Sequence, residues 1–232
     1  TGKPVGQNFG YVFDGYFTEQ EVANYQDLKG KEGGVPDQGS GYIPLAGDVK
    51  YKDLNGDGKI DDKDVRDIGY PTYPLYSLGV NMGVSWKGID FHLTLSGAFQ
   101  TSRLLSETYR VPFGEMNNFS LMKYMVKDAW TPEKGDAAKA PAISLRSKAH
   151  NYLSSDLWLR NASYVRLKNI ELGYSFPKHI VRAMHISSLR LALAGYNLLT
   201  FDRLKVTDPE ANPNGRAYPL IKIVNFGVRV GF

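Results

Sequence analysis

Six stretches of this chain alternate apolar and polar residues with a period of two, which constrains the fold more than any other feature. The cleanest covers residues 75–86. There Leu78, Val80, Met82, Val84 and Trp86 share one face, while Ser77, Gly79, Asn81, Gly83 and Ser85 share the other. Residues 89–99 follow suit, with Ile89, Phe91, Leu93, Leu95 and Phe99 opposing His92, Thr94, Ser96 and Ala98. In 7–17, Phe9, Tyr11, Phe13 and Phe17 are in phase. In 164–176, Ile170, Leu172, Tyr174 and Phe176 are in phase but Val165 and Leu167 are not, a slip that predicts a β-bulge near Lys168-Asn169. Leu189, Leu191 and Leu193 mark a fifth segment, and Val224, Phe226, Val228, Val230 and Phe232 a sixth. Side chains of a strand point alternately to its two faces, so each segment reads as a strand with one apolar and one polar or small face.

Most of these runs approach the roughly ten residues that a tilted strand needs to cross a bilayer. A soluble β-sandwich alternates in the same way, so periodicity leaves both open. The connections discriminate. Lys87-Gly88 predicts a tight turn and 177–188 a modest link, whereas 18–74, 101–163 and 202–219 are long. In an up-and-down meander every long connection then falls on one side, the layout of an outer-membrane barrel. Composition agrees. No apolar run of about 18 residues exists for a spanning helix, which says nothing against strands. The net charge of +4 is spread over interspersed signs, without the basic stripe that nucleic acid requires. With no cysteine, neither disulfides nor thiol chemistry is available. Thr1 opens the chain without a Met or signal peptide, which reads as a processed product or fragment.

Within 18–74 lies the sharpest chemical signal, residues 53–64. Oxygen-bearing side chains stand at positions 1, 3 and 5 (Asp53, Asn55, Asp57), Gly58 stands at the sharp turn, and the Lys59 carbonyl at position 7. Asp61 at position 9 and Asp64 at position 12 complete the spacing of an EF-hand-type calcium loop, with Asp in place of the final Glu. A hard cation needs six to eight such oxygens. The alternative is an Asx-rich turn, since Asn-Gly and Asp-Gly turn without any metal. No helical pattern flanks the loop, so it reads as a structural staple in a long connection. Residues 118–130 place Phe119, Met122, Met125, Val126, Ala129 and Trp130 near helical spacing, predicting a short amphipathic helix ended by Thr131-Pro132. Residues 137–141 read as flexible surface coil.

Several of these stretches together resemble the SusC/RagA family of TonB-dependent outer-membrane transporters, along nearly the whole chain. They are Tyr11-Val12-Phe13-Asp14-Gly15-Tyr16-Phe17; Gly47-Asp48-Val49-Lys50-Tyr51-Lys52-Asp53 running into the acidic loop; Trp130-Thr131-Pro132; Ser163-Tyr164-Val165-Arg166-Leu167-Lys168-Asn169 with Leu172-Gly173-Tyr174; Asn197-Leu198-Leu199-Thr200-Phe201; and Phe232. The resemblance implies an all-β chain, 1–232, forming a C-terminal transmembrane barrel segment of about six antiparallel strands from a barrel of about 22. It also implies long extracellular loops, a location in the Gram-negative outer membrane, contact with membrane lipid, and TonB-energised import of oligosaccharides or other bulky nutrients under a SusD-like lipoprotein lid. Neither a plug domain nor a TonB-contacting segment is legible in these residues. A terminal aromatic such as Phe232 resembles the signal read by the barrel-assembly machinery.

Other candidates are weaker. His92, His150, His179 and His185 are scattered, without the convergent spacing of a metal site or a general base, and no nucleophile is marked. The chain therefore reads as a non-enzyme. Tyr70, Tyr73, Tyr76, Trp86 and Tyr174 fit an interfacial girdle. Trp130 and Trp158 are candidates for stacking on a sugar or on the lid, with plain loop packing as the alternative. The competing function is an extracellular, calcium-stabilised β-sandwich binding module. It differs in one respect: its apolar faces point inward to a shared core.

Overall fold

The computed structural model describes residues 2–39, 41–113, 121–144, 148–211, 218 and 220–232. They form two compact units, one mainly from Thr1–Tyr73 and Ser102–Asn161, the other from Pro74–Thr101, Ala162–Ala211 and Tyr218–Phe232. No described helix is long and apolar enough to cross a membrane.

The second unit is one five-stranded antiparallel sheet. Its strands are β1 (Tyr76–Trp86), β2 (Ile89–Phe99), β3 (Tyr164–Ser175), β4 (Ser188–Asp202) and β5 (Ile223–Gly231), each beside its chain neighbour. β1 and β2 pair from Tyr76↔Phe99 to Trp86↔Ile89. The two residues between them, Lys87 (φ 46°) and Gly88 (φ 85°), take the positive φ values of the two-residue turn whose twist matches a hairpin. Tyr76, Phe99, Tyr164 and Asp202 lie at one edge, where the chain leaves for its long connections. The predicted bulge is present. On β3, Leu167 pairs with Leu95 and Asn169 with Thr94, leaving Lys168 as the extra residue. It brings Val165 and Leu167 into phase with Ile170, Leu172 and Tyr174, opposite Gly97, Leu95, Leu93, Phe91 and Ile89.

One face of this sheet is therefore apolar from β1 to β5, and it is exposed. Trp86 is 65% accessible, Phe226 70%, Val228 55% and Leu193 51%. The other face holds the buried charge. Arg166 is 1% accessible and donates to Asp208 Oδ1 at 2.7 Å, while Arg190 donates to both Asp90 and Glu171. A Cβ on Gly173 would collide with Arg190 and Asp90, so only glycine leaves room for that bridge. A soluble sandwich requires the reverse arrangement, apolar side in. The observed exposure is the reverse of what the sandwich alternative expects.

Residues 7–17 depart from expectation. They are not a sixth strand of the sheet but two short pieces in the first unit. Phe9–Gly10 pairs with Arg66–Asp67, and Phe13–Tyr16 pairs with Val49–Tyr51 through a register shift. Gly15 (φ 111°) breaks the alternation, so Tyr16 and Phe17 are both buried while Phe9 is exposed. Around Tyr16, Val49 and Tyr51 gathers a core that includes Ile60 and Ala138, with Phe13 and Trp130 against it. The connection 18–74 is not bare loop. Thr18 caps the helix Glu19–Leu28 in a capping box with Glu21. This Thr-x-x-Glu signal is legible in the sequence.

Two further expectations change. The helix at 118–130 is, among the described residues, Lys123–Asp128, with Met125 buried; residues 118–120 lie outside the described residues. It ends before Thr131-Pro132 because Ala129 turns extended and Trp130 donates its N–H to the Ala140 carbonyl at 2.9 Å. Residues 137–141 are accordingly no surface coil. Ala138 and Ala140 are buried, small enough to pass beneath larger neighbours.

Candidate functional site

Residues 53–64 fold as a chain of side-chain-to-backbone hydrogen bonds. Asp53 accepts from Gly56 N–H and Gly58 N–H, each at 2.7 Å. Asn55 Oδ1 accepts from Asp57 N–H at 3.0 Å, and Asp57 Oδ1 from Lys59 N–H at 3.1 Å. Asp61 accepts from Lys63 N–H, and the fully buried Asp64 takes Leu54 N–H at 2.8 Å and Asp61 N–H at 2.9 Å. Asn55 also donates to Asp57 Oδ2, and this contact above all holds the Asp57 carboxyl below the usual carboxylate range. The Lys63 ammonium lies 3.6 Å from Asp57 Oδ2.

The donor set suits a hard cation: oxygens only, from five side chains and the Lys59 carbonyl. A carboxylate oxygen that accepts one hydrogen bond keeps a second lone pair for a metal. Convergence is a separate matter. Among the described residues no three carboxylates or imidazoles come together at metal-holding distance. The spacing is that of a cation loop; the geometry is that of linked Asx turns closed by Asp64.

The stretch preceding the loop serves the packing of the first unit. Gly47 (φ 84°) admits the Trp130 ring, which a Cβ would strike. Asp48, fully buried, accepts from Asn151 Nδ2 at 2.7 Å, Tyr42 Oη at 2.9 Å and Leu45 N–H at 2.7 Å. Asn151 Oδ1 in turn accepts Val49 N–H at 2.9 Å. His150 stacks on Tyr42 with centroids 3.9 Å apart, and burial pushes its pKa down. Trp158 is fully buried, donates to the Asn151 carbonyl at 3.0 Å and packs on Tyr152. It is a core residue, and stacking on a ligand or a lid is corrected to packing. Trp130 is half-buried against the core around Tyr16, Val49 and Tyr51. No sequence signal distinguished these two tryptophans, since each lies in the same long connection.

No family model matches the chain. TonB-dependent receptor P3 of Formosa agariphila is 28% identical over 211 residues, spanning 91% of this chain and 19% of that protein. TonB-dependent receptor P26 of the same organism is 27% identical over 205 residues, 81% of this chain and 20% of that protein. This chain is a relative of the TonB-dependent receptors. It spans about a fifth of the length of the curated relatives it matches. Among solved structures, the RagAB peptide transporter superposes on 97% of the chain with a TM-score of 0.67 and 21% identity, covering 22% of that molecule. RagAB in its open-open state, described as a peptide importer, gives 0.66. The likeness in fold thus extends over both units of this TonB-dependent receptor relative.

Proposed function

We propose that the chain is a C-terminal barrel segment of a TonB-energised importer in a Gram-negative outer membrane. It conducts bulky nutrients, oligosaccharides first among them, beneath a SusD-like surface lipoprotein, and catalyses no reaction. One observation carries the reading: a five-stranded sheet whose continuous apolar face is exposed and whose opposite face is ion-paired. That inversion suits lipid outside and a polar lumen inside. The ends of β1 support it. Tyr76 and Trp86, both largely exposed, stand ten positions apart, about 33 Å along a strand. At a tilt near 45° they mark a band about 25 Å tall, with an aromatic at each rim. The same edge of the sheet feeds all the long connections, where a lid and a substrate are met. The relatives' kinship supports import, and the naming of RagAB as a peptide importer makes peptides the rival cargo.

The test is uptake and growth after deleting the gene, on matched oligosaccharides and on oligopeptides as sole nutrient. Loss on oligosaccharides alone is expected. Loss on peptides alone moves the substrate class, and loss on neither overturns import. Co-purification of the whole transporter with a surface lipoprotein tests the lid.

The loop 53–64 is proposed as a calcium staple, held by Asp53, Asn55, Asp57, the Lys59 carbonyl, Asp61 and Asp64. Calcium, when bound, supplies only charge compensation for these carboxylates. Calorimetric titration of the whole transporter, with Asp57→Ala abolishing the signal, is the expected outcome. No heat of binding, with equal protease resistance in chelator, leaves a plain turn.

A further inference from the structure

We infer that the sheet edge bearing the short connections binds the phosphate headgroups of anionic phospholipids. The inference rests on the lipid-facing reading of the apolar sheet and extends it to one rim. The two connections at this edge are adjacent, since Ser175 donates its N–H to the Gly88 carbonyl at 2.7 Å. In one, Lys87 lies over the Trp86 ring at 4.8 Å, its ammonium at the end of the exposed apolar face. In the other, the helix Lys178–Ala183 turns Val181 inward and leaves Lys178, His179, Ile180 and Arg182 exposed, followed by Met184 and His185.

Side-chain charge at this rim is of one sign, and Phe232, whose carbonyl oxygen accepts from Ser187 Oγ, brings the last carboxylate of the chain to it. Residues 86–89 and 175–188 contain no Asp or Glu. Asp90 and Glu171, on the strands next to these connections, are both engaged by Arg190. Lys87, Lys178 and Arg182 make no ion pair among the described residues. The opposite edge is mixed in sign, its Asp202, Asp208 and Glu210 ion-paired with Lys205, Arg166 and Lys168. Ile180 and Met184, 37% and 55% accessible, stand exposed among these cations in the same connection. Cations at the border of an apolar belt, with apolar side chains between them, complement a phosphate layer above acyl chains. A soluble protein partner would gain nothing from lying at that border.

Native mass spectrometry of the whole transporter, extracted in mild detergent and offered phosphatidylglycerol and phosphatidylethanolamine in equal amounts, tests this. Preferential retention of phosphatidylglycerol is expected. Each of Lys87→Gln, Lys178→Gln and Arg182→Gln should lower it roughly fivefold, with heat-modifiable barrel migration unchanged. Equal retention of both lipids, retention of lipopolysaccharide in their place, or a triple variant that retains phosphatidylglycerol like the parent overturns the inference alone. Recovery of the transporter as a water-soluble protein carrying no lipid overturns the belt reading, and this inference with it.

Discussion

Val228 shows how much one residue carries. It stands mid-strand on β5, opposite Leu191, with 55% of its surface accessible on the apolar face. In water that exposure would be a liability, and against lipid it is the stabilising contact. Val228→Arg should cost about 2–4 kcal/mol of barrel stability if the site lies near the midplane. Folding titrations into lipid vesicles read this directly, and an unchanged midpoint would place the face elsewhere than in lipid. His150 makes a different point. Burial holds its imidazole neutral, opposed only in part by the Val49 carbonyl and Asp48, so its folded pKa lies below the unfolded value. Folding then favours loss of a proton. The stability this buried neutral imidazole contributes is complete above about pH 6.5 and is lost as pH falls from there through its lower folded pKa. Hydrogen exchange at 42–49 should quicken with acidification in the parent and lose that dependence in His150→Phe.

At the scale of the element, the bulge at Lys168 decides which half of β3 faces where. Val165 and Leu167 reach the apolar face, and Tyr164 and Arg166 the polar one, only because one extra residue resets the phase. There Arg166 meets Asp208, Tyr164 donates to Glu210 at 2.6 Å, and Lys168 lies 3.5 Å from Glu210. Together they tie the segment after Asp202 to the sheet. Deleting Lys168 should swap the faces of 164–167, turning Arg166 to the apolar side. Because a one-residue slip reverses every side chain, assembly should fail. Heat-modifiable migration and surface protease resistance check it; a normal barrel would mean the register re-forms elsewhere.

For the whole molecule, the sheet's two outer strands matter most. β1 and β5 each have one neighbour within the sheet, so each offers a free row of backbone donors and acceptors. In lipid such rows must be paired, which a closed barrel does by meeting itself. On the proposed barrel reading, these 232 residues expressed alone should therefore aggregate or fail to insert, and co-expression with strands that close the barrel should rescue membrane recovery. Stable insertion of the lone chain as a monomer would count against barrel membership.

Alternation and turn chemistry were enough to place the five long strands, the Lys87-Gly88 hairpin and the Lys168 bulge, because each depends on neighbours in sequence. The acidic spacing of 53–64 was equally plain. What the chain could not declare locally was burial. Phe9, Phe13 and Phe17 alternate as regularly as Leu78, Val80 and Met82, yet Gly15 and the pairing with Val49–Tyr51 bury Phe17 and pack Phe13 on the core of the first unit, while Phe9 stays exposed. Trp158 and Trp130 are alike in composition of surroundings, yet only the tertiary contacts to Asn151 and Tyr152 put the first wholly inside. Which backbone N–H each carboxylate of 53–64 meets was likewise a matter of the folded loop. Periodicity fixes which residues share a face. Only the partners across that face decide whether it meets protein, water or lipid.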